Sequence, residues 1–243
     1  MYQIITQKSV PMKRKVTLIV AVMCALLTAT TIKSYAQTPA PFTGPSDNTT
    51  AAPATAGAVM QVLCAGGAIS LKGPADPTGQ YQWYKTNPQG ASVLVKNGTS
   101  GDNAYTETAT GAGYYTYKLV QTNANGCTST SSDPFQIYVL PAINATVVSS
   151  SPSVCEKSQT TANLTITGLN ASFSYTYQWT RNGVDISGAT ANTYVASEAN
   201  TSATPISYGV KISYTLNPSC TQAATPVSIN VNPVPTKPVI TLN

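Results

Sequence analysis

Histidine is absent from this 243-residue chain. With it go every catalytic triad and metal site built on imidazole. Charged residues make up only 9%. The acids Asp47, Asp76, Asp102, Glu107, Asp133, Glu156, Asp185 and Glu198 are scattered, without the alternating spacing of a calcium loop. Glu107 and Asp133 are the pair that folding could bring together as a glycosidase-like dyad, but nothing in the sequence supports it. The glycines of "GAGYY" (111–115) precede a strand rather than a helix, so they do not read as a phosphate-binding turn. Capped, helix-period apolar patterns are missing as well. The chain is therefore expected to be no enzyme, with no cofactor and no metal.

The few basic residues are concentrated at one end. Met12-Lys13-Arg14-Lys15 precedes an apolar run, Val16 to Ile32, and Ser34-Tyr35-Ala36 sets small residues before a cut ahead of Gln37. This is the three-part pattern of a secretory signal peptide, expected over 1–36. Five of the 13 basic residues lie in it and none of the eight acids, leaving eight bases against eight acids in the mature chain. Without a basic surface no nucleic-acid partner is expected, nor any membrane span in the mature chain. Residues 37–58, rich in Pro, Ala and Thr, offer little apolar surface and read as a disordered or extended linker. The expected place is secreted or at the cell surface, where the four cysteines left after Cys24 read as disulfides.

Beyond the linker the chain repeats. Cys64 to Cys155 is 91 residues, Trp83 to Trp179 is 96, Cys127 to Cys220 is 93 and Pro141 to Pro233 is 92. A shared offset of that size means tandem small domains, expected at 59–141 and 142–233. The tail 234–243 reads as an orphan strand or the start of a third repeat, able to add to the edge of a neighbouring molecule. In the first unit, strands are predicted over 68–72, 81–85, 92–96, 114–122 and 135–139. In the second they are predicted over 163–167, 175–180, 192–196, 207–216 and 227–231. Apolar and polar residues alternate in each, between turn clusters such as "NPQG", "NANG" and "RNG". The fold class is all-β. Lys118 and Lys211 fall on the polar side of the long strand and read as a solvated face.

Each unit sets a cysteine first, "YQW" about 20 residues later and a second cysteine about 40 beyond. Gly113-Tyr114-Tyr115 opens the long strand, and Tyr208 stands where Tyr115 does, though Ile206 replaces the glycine. This order resembles the tandem immunoglobulin-like repeat domains of secreted bacterial surface proteins. The resemblance implies two β-sandwiches with Trp83 and Trp179 as central core residues beside an inter-sheet disulfide. It likewise implies core tyrosines Tyr115 and Tyr208 at a tyrosine corner. One feature departs from antibody domains: Cys127 and Cys220 each lie 12 residues past that tyrosine, at a hairpin turn. Of the three pairings that four cysteines allow, the repeat favours Cys64–Cys127 and Cys155–Cys220, one bond inside each unit.

The function expected is a non-catalytic structural or adhesion module that spaces or displays partners outside the cell. Its partner would be a protein or a glycan at the cell surface. The alternatives are a glycan-binding module, with Tyr84, Tyr114 and Tyr138 as candidate exposed rings, and an accessory region of a larger secreted enzyme. Self-association through the C-terminal strand is a further expectation.

Overall fold

The computed structural model describes residues 42–202 and 204–242. The segment expected as a signal peptide, 1–36, lies outside the described residues. Seven strands form a first sandwich: β1 (Gln61–Leu63), β2 (Ala68–Lys72), β3 (Gln80–Thr86), β4 (Ser92–Gly98), β5 (Ala104–Thr108), β6 (Gly113–Thr122) and β7 (Phe135–Val139). One sheet runs β1-β7-β6-β3-β4, and the facing sheet is the pair β2-β5. Nine strands follow: β8 (Thr146–Ser149), β9 (Ser153–Cys155), β10 (Ala162–Thr167), β11 (Tyr175–Arg181), β12 (Val184–Asp185), β13 (Thr193–Ala196), β14 (Ile206–Tyr214), β15 (Thr221–Ala223) and β16 (Val227–Asn232). Here the large sheet is β12-β11-β14-β16-β9, with β15 on β14, and the facing sheet is β13-β10-β8.

The two sandwiches repeat one plan. A short strand, β1 or β9, runs parallel to the last strand, β7 or β16. The long strands β6 and β14 are central and antiparallel to their neighbours. Burial follows the two-residue period of a strand with one face in a core. In β3, Tyr81, Trp83 and Lys85 point inward; in β6, Tyr115 and Tyr117 do. In β14, Tyr208, Val210 and Ile212 fill the second core around a fully buried Trp179.

Among the described residues, no disulfide lies beside either indole, against the expectation. Aromatic rings from the facing sheet take that place. Trp83 stacks on Tyr105 of β5, centroids 6.1 Å apart, and Trp179 lies 5.7 Å from Tyr194 of β13. Each tyrosine then meets a second one on the long strand, Tyr117 or Tyr208. Such pairs add roughly 0.5–1.5 kcal/mol beyond burial of their area.

The described part of the segment expected as free linker is docked on the first sandwich. Asp47 and Tyr114 exchange backbone hydrogen bonds, and Ser46 N–H donates to Tyr114 O at 2.6 Å. Ser46 Oγ accepts from Thr116 N–H, and Ser46 is buried. β3 pairs with β6 only back to Tyr117. The segment therefore occupies the place beside β6 that β3 leaves empty. Composition hid this, because the binding is by backbone rather than by apolar side chains. Gly113 makes the approach feasible. Its φ is +132°, and a Cβ there would lie 2.6 Å from Asp47 O.

The tail after β16 makes no strand among the described residues, and Val239, Ile240 and Leu242 stand exposed. Among the described residues no helix is long and apolar enough to cross a membrane.

The docking of the leading segment has a direct test. Gly113→Ala should lower the unfolding free energy by about 2 kcal/mol, from left-handed strain and the clash with Asp47. Gly57→Ala, which meets nothing within 4 Å, should stay within about 0.5 kcal/mol of the parent. Urea denaturation reads both.

Candidate functional site: the joint between the sandwiches

The cysteines correct the expected pairing. Cys64 bonds Cys220, with Cα atoms 5.3 Å apart, while Cys127 and Cys155 are free thiols. The reason is the length of the long strand. Cys64 follows β1, level with the end of β7, where Leu140 N–H donates to Leu63 O. Cys127 sits at the opposite end, in the hairpin that joins β6 to β7, next to the Thr122–Thr128 bridge. Between those levels runs the ten-residue β6, a distance of roughly 30 Å. A disulfide needs Cα atoms within about 7 Å. The second sandwich repeats the geometry, with Cys155 paired in register with Asn232 at one end and Cys220 in the hairpin turn at the other. Neither unit can close its own bond. The hairpin of the second reaches the strand end of the first instead.

Around this bond lies an apolar cluster drawn from both sandwiches. Val62, Tyr138, Leu140, Tyr214 and Cys220 are buried in it, and Ala52, Val59, Tyr114, Phe173 and Leu216 pack against it. Two hydrogen bonds cross the joint. Asn217 Nδ2 donates to Val62 O at 2.8 Å, and Tyr214 Oη donates to Pro141 O at 2.8 Å. The turn is preset for this, since Asn217 Oδ1 accepts from Ser219 N–H and Asn217 O from Cys220 N–H.

The rings expected at the surface are placed accordingly. Tyr138 is buried in the joint, with Tyr114 edge-on to it at 4.9 Å. Tyr114 Oη donates to Ala51 O in the leading segment. Tyr84 is half-buried on β3 and donates to Gln82 Oε1. The structure does not gather the three into one exposed platform. Lys211 is exposed and pairs with Asp185 at 2.6 Å, and Lys118 is half-buried. Tyr115 makes a tyrosine corner: its Oη donates to Gly111 O and accepts from Thr110 and Gly111 N–H. Tyr208, expected at the same place, stands in register where Tyr117 does and donates to Glu198 instead, because the chain from there to the hairpin cysteine is two residues longer in the second unit.

A repeated charged cluster was missed in the sequence. Lys85 lies two residues after Trp83, and Arg181 lies two after Trp179, so strand parity puts both on the side of the indole. Lys85 is wholly buried there, while Arg181 lies at the rim and stays exposed. Each meets a carboxylate from across the sandwich. Lys85 Nζ, wholly buried, donates to Glu107 at 2.7 Å, and Tyr105 and Tyr117 hydroxyls donate to the same carboxylate. The Tyr115 and Phe42 rings flank the ammonium at 4.7 and 4.9 Å. With both oxygens engaged, Glu107 forms no dyad with Asp133, which lies on the exposed loop before β7. In the second unit Arg181 grips Glu198 through Nε and Nη2 at 3.0 and 2.8 Å, and Tyr208 donates to the same carboxylate. Burial lowers the pKa of Lys85 against the pull of Glu107, and burial raises the pKa values of Tyr105, Tyr117 and Tyr208. For Glu198, burial acts to raise the carboxyl pKa, but the hydrogen bonds from Arg181 and Tyr208 outweigh it and leave it lowered.

The first sandwich has a known counterpart. Residues 51–141 match the family described as Ig-like domain, CHU_C associated. The chain carries an Ig-like domain. That match begins inside the segment expected as linker, in keeping with the docking of that segment. Among solved structures, the fibronectin(III)-like modules of Clostridium thermocellum CbhA are 16% identical, with 76% of this chain and 96% of that one covered at a TM-score of 0.41. The N-terminal four Ig domains of Dscam1 isoform 8.4 are 15% identical, with 72% and 43% covered at 0.31. Three N-terminal domains of the bacteriophage RB49 outer capsid protein Hoc are 17% identical, with 70% and 56% covered at 0.32. This chain thus spans less than half of the Dscam1 chain (43%) and a little over half of the Hoc chain (56%). No curated protein matches the sequence. The Ig-like fold supports a structural or accessory module.

Two measurements probe the charged clusters. Glu107→Gln leaves Lys85 enclosed without its counter-charge and should cost about 3 kcal/mol, while Lys85→Met with Glu107→Leu should recover most of that loss. A double-mutant cycle in denaturant separates the two. The second concerns acid. Folding lowers the Glu198 pKa from an ordinary value of 4.5, so the native state holds that proton less tightly than the unfolded chain. The stability this contributes is present above the unfolded value and is lost as pH falls through the lowered one. Thermal melts between neutral pH and strong acid should therefore show a shallower acid decline for Glu198→Gln than for the parent.

Proposed function

We propose that the chain is a non-catalytic extracellular spacer, a rigid pair of Ig-like sandwiches that holds or displays a partner at a fixed distance and angle. The observation that carries this reading is the Cys64–Cys220 bond set inside an apolar joint. A swivelling linker would need neither. On the chain-entropy account a bond across 156 residues stabilises the fold by about 5 kcal/mol. Its effect is spent on fixing one sandwich against the other, because neither core contains a crosslink of its own. Disulfides persist in oxidising surroundings, which supports export and fits the signal-peptide pattern. The partner is a protein or glycan at the cell surface. A glycan platform gains no support from Tyr114 and Tyr138, whose rings pack into the joint.

Alignment tensors from residual dipolar couplings test the rigidity. The oxidised chain should give one tensor for both sandwiches. Cys64→Ser should split it into two and lower the unfolding free energy by up to about 5 kcal/mol. Independent tensors in the oxidised parent would dispose of the spacer reading.

A further inference from the structure

The parts that make the joint between the sandwiches recur, among the described residues, at the far side of each sandwich. In the joint, three things coincide. The strand that leaves the first sandwich, β8, adds to the edge of β10 in the second. Val147 of β8 is thereby buried in the second core. The cysteine after β1 bonds the cysteine of the next hairpin.

Each part has an unpartnered equivalent. At the far end of the second sandwich, Cys155 matches Cys64, as the β1–β7 and β9–β16 registers show. The tail after β16 matches β8. By the 92-residue offset of Pro141 and Pro233, Val239 takes the place of Val147 and Ile240 that of Val148. Val239 and Ile240 are 85% and 98% exposed. At the free end of the first sandwich, Cys127 matches Cys220 and is an exposed thiol. There no strand among the described residues corresponds to β8. β2 pairs with β5 alone among the described residues, because the leading segment lies on β6 instead. Beside the bare edge of β2 opens a cleft of about 400 Å³, walled by Leu71, Trp83, Leu119 and Phe135. Trp83 Nε1 is buried with no hydrogen-bond partner, whereas Trp179 Nε1 donates to Ala191 O at 2.9 Å.

We propose that copies of this chain join end to end: the tail Pro238–Leu242 of one adds to the bare edge of β2 in the next, and Cys155 of the first bonds Cys127 of the second. The occupant is a second copy because the tail is already the right element. It has the β-prone Val-Ile-Thr pattern of an edge-adding strand and follows β16 as β8 follows β7. The bond forms when the two thiols give up two protons and two electrons to a small disulfide such as oxidised glutathione, which becomes two thiols. The contact lacks the apolar pad of the internal joint. Val62, Tyr138 and Leu140 correspond to Ser153, Asn230 and Asn232. Assembly therefore depends on strand and bond together, and reduction returns monomers.

The test uses the full chain in a glutathione redox buffer, read by non-reducing electrophoresis and peptide mapping. The parent should give a ladder of multimers joined by Cys155–Cys127 peptides. Cys127→Ser and Cys155→Ser should each fail to form a ladder, and their mixture should give one heterodimer in preference to either homodimer. Val239→Asp should slow crosslinking about tenfold or more, since the docked strand supplies the local concentration of thiol, with the monomer melting point unchanged. A parent that stays monomeric with two alkylatable thiols overturns the proposal, as do symmetric Cys127–Cys127 dimers or a rate indifferent to Val239→Asp. Failure here leaves the alignment tensors of the monomer untouched, so it is distinguishable from failure of the spacer reading.

Discussion

A strand end and a hairpin turn meet between the two sandwiches, and the meeting is held covalently and by packing at once. The covalent part follows from strand length. The hairpin of each sandwich lies one full strand away from its own parallel edge strand, so a cysteine in the turn can only reach outward. Packing supplies the rest. Burying a Val, Leu or Tyr side chain contributes roughly 1.5–3 kcal/mol, so Val62, Leu140, Tyr138 and Tyr214 together rival the bond. Either alone would leave a weakness. A lone disulfide still allows rotation, and a lone patch of five buried residues is small for a permanent interface. Together they remove both freedoms.

Moving the disulfide out of the sandwiches leaves each core to bind its sheets in another way. Both units adopt the same substitute. The indole stacks on a tyrosine of the facing sheet, and a base two residues further along takes a carboxylate from that side. An ion pair in such a place adds little net stability, because desolvation offsets attraction. What it adds is registry. Lys85 has Glu107 as its salt-bridge partner, so sliding β3 by two residues against β5 would strand a buried ammonium. The two units differ in detail, as Lys85 borrows Phe42 from the leading segment while Arg181 relies on a bidentate grip.

Much of this was legible in the sequence. Alternation marked β2, β3, β6, β7, β11 and β14 to within a residue or two, and the repeat marked both indoles. Strands β1 and β9 escaped because three residues carry no period, and β5 because Thr and Glu in "AYTET" blur the alternation. The docking of the leading segment joins the backbones of Ser46 and Asp47 to that of Tyr114, a long-range event invisible to composition. The disulfide pairing is the expectation that the repeat alone gets wrong. The 12-residue spacing from Tyr115 to Cys127 was in view, and it places the thiol beyond the strand, at the end opposite Cys64. Strand parity likewise held the signal for Lys85 and Arg181, which share the parity of Trp83 and Trp179 in β3 and β11, the first buried and the second at the rim.

The two units share a plan but are not equally finished. The second has three strands in its smaller sheet, a wholly buried Trp179 and a satisfied indole N–H. The first has two strands there, with Trp83 slightly exposed at 5% and its N–H unmet. A single leading segment cannot lie on two edges. It lies on β6, where Gly113 admits its backbone and Phe42 covers Lys85, and among the described residues no strand covers the outer edge of β2. An open edge beside an apolar cleft is an adhesive surface by default. The internal joint shows what this chain's own sequence does with such an edge, since there the strand after the preceding sandwich covers it. Among the described residues, the uncovered edge of β2 in the first unit and the exposed tail after the second are thus complementary parts of one repeated joint.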